Sequence, residues 1–137
     1  MLSSAEKAST TAALGLSDNA YGLAEVLSGG SPFDEALHST ERSNMFVVPP
    51  GKSDVEAMLS SPAMSGFLDD LRKNFDRIMI VTAPVNHSSA ASVISAIADA
   101  TLLVVNERSA GRRNVEKAVS ELKAARAHLL GAVLARS

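Results

Sequence analysis

The short run with the clearest chemical suggestion is Gly51-Lys52-Ser53, which lies between an apolar stretch and a helix-like one. A phosphate-binding loop ends its GxxxxGK(S/T) pattern in such a place, holding phosphate with successive backbone N–H groups and a lysine. Here the position five residues before Gly51, where that pattern needs glycine, is Phe46, and Pro49 and Pro50 have no N–H to offer. The run therefore reads as an ordinary turn with an exposed lysine. Thr82 and Asn86 follow an apolar run, at the edge where open α/β sheets bind ligands, and are candidate binding residues. The same side chains also suit local backbone groups. Arg108, Arg112 and Arg113 fall within six residues. Cations at the start of a helix oppose its dipole, so Arg112 and Arg113 are candidates for an anion or an acidic partner surface, against a plain solvated basic turn. His38, His87 and His128 occur singly, His87 reads as a solvated loop histidine, and Ser88 and Ser89 read as caps of the helix that follows.

Composition narrows the choices further. The 137 residues carry no cysteine, which removes disulfides, thiolate nucleophiles and sulfur-ligated zinc, and fits a reducing compartment. The net charge of −2 gives no overall basic excess for nucleic acid or anionic lipid, so no nucleic-acid partner is expected. Aromatic residues are only 4% and Trp is absent, which leaves little material for stacking platforms. No apolar run reaches the roughly 18–20 residues needed to cross a bilayer, and residues 1–16 lack the apolar segment of a secretory signal. A cytoplasmic location is expected.

The elements that would position these residues follow from periodicity. Residues 1–20 are rich in Ala, Ser and Thr and read as a flexible or partly helical leader. Tyr21 to Leu27 reads as a short amphipathic helix stopped by Gly29-Gly30, and Ser31-Pro32 opens another through Leu37. Asp54 to Leu59 looks helical. Ser61-Pro62 reads as an N-cap and first-turn proline of a helix ending near Asn74, with Met64, Phe67, Leu68 and Leu71 on one face. Met45 to Val48, Ile78 to Val81, Leu102 to Val105 and Leu129 to Leu134 read as buried strands, and Ser88 to Ala98 and Asn114 to Ala127 as helices. Strands alternating with helices predict an α/β fold: a parallel sheet of about four strands with helices on both faces.

The segment Phe75 to Val85 resembles the "(F/Y)DxxIID(T/S)PP" strand of the bacterial tyrosine kinases, P-loop ATPases that act in capsule and exopolysaccharide export and are akin to the ParA and MinD group. Gly22 to Gly29 is similar to that family's "GLSDVLxG", Phe46 to Gly51 to its "LxVLPAG", and Glu56 to Met64 to its "ELLxSxxM". Ala98 to Val105 is similar to "ADGVLLVVR", Glu107 to Asn114 to "RAGxTRR", and Leu130 to Leu134 to the closing "xGVVLN". The resemblance runs from about Leu14 to the C-terminus. It implies a P-loop-NTPase-like, Rossmann-like three-layer fold, of which residues 21–137 are the C-terminal portion without the P-loop strand.

The departures from the family pattern are chemical. Val81 stands where the family has its metal-binding aspartate, Ala90 where a second aspartate follows, and the only tyrosine is Tyr21. An isopropyl group cannot ligate Mg²⁺ or orient water. The family uses ATP and Mg²⁺; for this chain no catalytic residue, metal ligand or cofactor is expected. The expected role is that of a non-catalytic, kinase-like component of polysaccharide export, peripheral at the inner membrane through a partner. That partner would be a membrane polysaccharide co-polymerase or a P-loop kinase subunit, and a half-sheet also invites self-association. The alternatives are half of a split kinase completed by a separate P-loop subunit, and a decaying gene fragment.

Overall fold

A computed structural model describes residues 12–17, 20–108 and 111–136. Most of the expected leader, together with Ser109 and Ala110 of the arginine-rich loop, lies outside the described residues. The chain divides between Met79 and Ile80 into two compact units.

In the first unit, helix α1 (Leu23–Leu27) ends where the sequence predicts but begins two residues later than Tyr21, after the N-cap Gly22, and is closed by the N–H groups of Gly29 and Gly30, which donate to the carbonyls of Val26 and Glu25. A single turn of 3₁₀ helix, Phe33–Ala36, follows Pro32, and another covers Glu56–Met58. Helix α2 (Pro62–Asn74) matches its predicted span, and the predicted face of Met64, Phe67, Leu68 and Leu71 is buried. Burial of each of these side chains contributes about 1.5–3 kcal/mol, and Phe67 meets Phe33 with ring centroids 5.6 Å apart. Ser61 does not cap α2 with its side chain. Its carbonyl accepts from Met64 N–H at 3.1 Å, while its Oγ is buried without a partner.

Two strand expectations are corrected. Met45 to Val48 is not a buried strand of a parallel sheet: β2 (Phe46–Val47) pairs antiparallel with β1 (His38–Ser39), and Met45 and Phe46 are exposed. The cause is local. Asn44 takes a left-handed φ of 64°, Thr40 N–H and Oγ1 both donate to the Met45 carbonyl, and the chain returns on itself as a hairpin. Ile78 to Val81 forms no ladder with any described segment, and Met79 and Val81 are 90% and 82% exposed. An apolar run becomes a strand only when neighbours accept and donate its main-chain hydrogen bonds, and none of the described segments does so here.

The second unit is a β-α-β arrangement preceded by a helix. Helix α3 (Ala90–Ile97) leads into β3 (Thr101–Asn106), then α4 (Arg112–Ala124), then β4 (Leu129–Ala135). β3 and β4 are parallel, with Leu102 opposite Gly131 and Val105 opposite Leu134, and one irregularity after Thr101. Instead of one four-stranded parallel sheet, the described residues form this parallel pair and the β1–β2 hairpin. α3 buries Ala91, Ile94 and Ser95, and α4 buries Ala118 and Leu122. α4 closes with Arg126 at φ 62°, Arg126 N–H donating to Lys123 and Ala127 N–H to Leu122, both at 3.0 Å. That is the Schellman closure with arginine in the place usually taken by glycine. No helix among the described residues is long and apolar enough to cross a membrane.

Candidate functional site

The Gly51-Lys52 turn lies against the start of α1. The N–H groups of Leu23 and Ala24 donate to the carbonyls of Pro49 (2.9 Å) and Pro50 (3.0 Å), so the prolines that cannot donate serve as acceptors. Glu25 closes the arrangement: its Oε2 accepts from Gly22 N–H and its Oε1 from Lys52 N–H, both at 2.9 Å. Partial burial would raise the Glu25 pKa, but the N–H groups of Lys52 and Gly22 and the Lys52 charge outweigh it and hold the carboxyl below its ordinary value. The approach is close enough that a Cβ on Gly22 would run into the Pro49 carbonyl, and one on Gly51, whose φ is +90°, into Glu25 itself. The Lys52 amide that would cradle a phosphate is thus held by a carboxylate of the same chain. Lys52 Nζ rests 5.0 Å from the centroid of the Tyr21 ring.

The second unit carries a groove of about 330 Å³ at the C-terminal end of β3. Its walls are the Pro84–His87 loop, Leu103 to Asn106 of β3, and Asn114, Val115 and Ala118 of α4. Asn86 Nδ2 donates to the Asn114 carbonyl at 3.1 Å, tying the loop to the first turn of α4, while its buried Oδ1 has no partner. Asn106 Oδ1 accepts from Arg108 N–H at 3.0 Å and fixes the turn that leaves β3. Ser88 Oγ accepts from Ala90 N–H at 3.1 Å at the start of α3.

Of the four candidate binding residues, only Asn86 lines this groove. Thr82 is half-buried and outside it. Arg112 pairs with Glu116 across one helical turn at 2.8 Å, largely in solvent, and Arg113 is exposed. The basic stretch therefore behaves as a solvated helix start in which one arginine already has its carboxylate. His87, expected as a solvated loop histidine, is exposed and lines the groove as well. Asn114 also lines it and is not a candidate in the sequence; the one available signal is its place at a helix start after a strand. Among the described residues, the Val81 side chain offers no lone pair, the Lys52 amide is held by Glu25, and no group of three His, Asp or Glu could hold a metal ion.

No family model matches the chain. Individual relatives do. The tyrosine-protein kinase CpsD of Streptococcus pneumoniae serotype 4 is 36% identical over 115 residues, which are 82% of this chain and 51% of the relative. Among solved structures, the VpsO kinase domain superposes with a TM-score of 0.85 at 25% identity, covering 93% of this chain and 64% of that one. The chimerical protein CapA2B2 gives a TM-score of 0.84 at 27% identity, covering 92% and 56%. The chain spans about half the length of the curated relatives it matches. Superposition and sequence agree: the homologues of this chain are bacterial tyrosine-protein kinases, which it matches over about half of their length.

Proposed function

We propose that the chain is a non-catalytic, kinase-like module that serves as an accessory or regulatory component of capsule or exopolysaccharide biosynthesis and export. It works at the cytoplasmic face of the membrane through a protein partner, a polysaccharide co-polymerase being the fitting class. The observation that carries this reading is Val81, an 82% exposed aliphatic side chain where the resemblance puts a metal-binding aspartate. Phosphoryl transfer depends almost wholly on positioned charge around the phosphates, and a scaffold without that charge has no means of turnover by itself. The Glu25 clasp on the Lys52 amide supports the same conclusion from the other unit.

Thermal unfolding in the presence of Mg·ATP or Mg·ADP tests it. A ligand at a hundred times its Kd stabilises by about 2.7 kcal/mol, which moves the Tm of a chain this size by several degrees. The expected shift is none; a magnesium-dependent rise overturns the reading. A second reading, half of a split kinase completed by a separate P-loop subunit, is favoured by the exposed apolar side chains of the β3–β4 pair, Leu102, Val104 and Val133. ATPase activity that appears only with such a subunit, and falls when Arg112 or Arg113 is replaced, would identify it.

A further inference from the structure

The net charge of −2 conceals a division between the two units. Residues 2–79 carry six Lys and Arg against eleven Asp and Glu, a net of −5, whereas residues 80–137 carry seven against four, a net of +3. We infer that the second unit carries a lipid-binding surface: the open side of α4 and its closing turn, from Arg112 to Arg126, lies on the anionic headgroups of a bilayer. This deepens the membrane-face part of the proposed function and rests on it, adding a direct lipid contact to the one made through a protein.

Five cations and two carboxylates fall between Arg112 and Arg126. The helix uses up both carboxylates itself. Arg112 holds Glu116 at 2.8 Å and Lys117 holds Glu121 at 3.7 Å, each one helical turn on. Arg113, Lys123 and Arg126 are exposed and have no ion pair among the described residues. Elsewhere in the unit, Glu107 is taken by Arg136 at 3.1 Å, and Asp99 precedes β3, where its carbonyl accepts from His128 Nδ1 at 2.9 Å. Ala118 and Leu122 turn the other side of α4 to the core, so the cations follow one open side about 20 Å long.

The order of these charges works against the helix that carries them. Arg112 and Arg113 stand in its first turn, where cations oppose the dipole. In both ion pairs the cation precedes the carboxylate, which is the weaker orientation. Charges that served α4's own stability would run the other way, so these suit an anion outside it.

The chemistry of the unit narrows what that anion is. Residues 80–137 contain no Phe, Tyr or Trp, the side chains from which protein hot spots and single-strand platforms are built. A leaflet asks only for basic side chains within a Debye length of its surface, with no fixed partner geometry. Between the two remaining polyanions, a nucleic-acid duplex and a leaflet, the membrane-face reading favours the leaflet.

The test is cosedimentation of the 137-residue chain with vesicles of phosphatidylcholine, alone or with about one third phosphatidylglycerol. Partitioning onto the anionic vesicles should exceed that onto neutral ones about tenfold or more, and fall at least about tenfold between roughly 50 and 500 mM salt. Arg113→Gln, Lys123→Gln and Arg126→Gly together remove the three unpaired cations and should lower partitioning about tenfold, with the fold kept by circular dichroism. Arg72→Gln with Lys73→Gln, in the first unit, should leave it within about twofold, and Glu116→Gln should raise it a few-fold. Glu116→Gln carries the test alone if the triple variant does not fold. Equal partitioning onto neutral vesicles, or no response to these α4 changes, overturns the inference, as does an equal loss from the first-unit pair, which would report net charge alone. So does tighter retention on duplex DNA than on anionic vesicles at the same salt, which assigns the face to nucleic acid. A salt-sensitive doubling of sedimenting mass without vesicles, abolished by the triple variant, assigns it instead to the acidic unit of a second copy. None of these outcomes bears on the Mg·ATP unfolding test, so a failure here leaves the non-catalytic reading standing.

Discussion

Glu25 shows how one residue can close off a chemistry. Its carboxylate accepts two main-chain N–H groups, one from its own helix start and one from the turn that most resembles a phosphate loop, so it holds the place an anion would take. Because its native pKa lies below the ordinary 4.5, it contributes stability at pH values above about 4.5, and that contribution disappears as pH falls through the depressed native value. Glu25→Gln should lower stability near pH 7 by about 0.5–1 kcal/mol, the lower part of the range for a lost cap because the site is partly in water. The difference in Tm between the two proteins should shrink steadily on acidification below about pH 4.5. A gap that stays constant across that range would show that the carboxylate's charge has no part in the clasp.

At the scale of elements, local and lateral information separate cleanly. The span and buried face of α2 are legible, because its first-turn proline and apolar spacing are set within thirteen positions, whereas the side-chain cap expected of Ser61 does not form. The parallel pairing of β3 with β4 is legible too, since an intervening helix of α4's length enforces a crossover. Ile78 to Val81 is not, because an apolar run records that it should be buried and says nothing of its neighbours. Phe46 misleads because the turn at Asn44, and not the apolar run itself, decides its pairing. The groove is half legible: Asn86 stands out from its position after an apolar run, but the carbonyl it binds is on Asn114, 28 residues away, which no local pattern encodes. Where the signal is local, the consequences can be tested locally. Arg126 holds a left-handed conformation that costs an L-residue roughly 1 kcal/mol. Arg126→Gly should therefore stabilise the chain by up to about 1 kcal/mol, read as a higher denaturation midpoint at unchanged slope.

For the whole molecule, the question is whether one lost charge or the absence of a collective arrangement silences nucleotide chemistry. A triphosphate and its cation are gripped by groups from several elements at once, and such groups act as a unit rather than as a sum. Val81 is 82% exposed, so Val81→Asp neither buries a charge nor leaves a cavity and should change stability by no more than about 0.5 kcal/mol. Restoring the aspartate should still produce no Mg·ATP-dependent rise in Tm, because the Lys52 amide remains bound to Glu25 and no group of three metal-ligating side chains stands among the described residues. If the single change did confer a magnesium-dependent rise, the other gripping groups would have to be present in the chain already, and Val81 alone would be the reason for its silence.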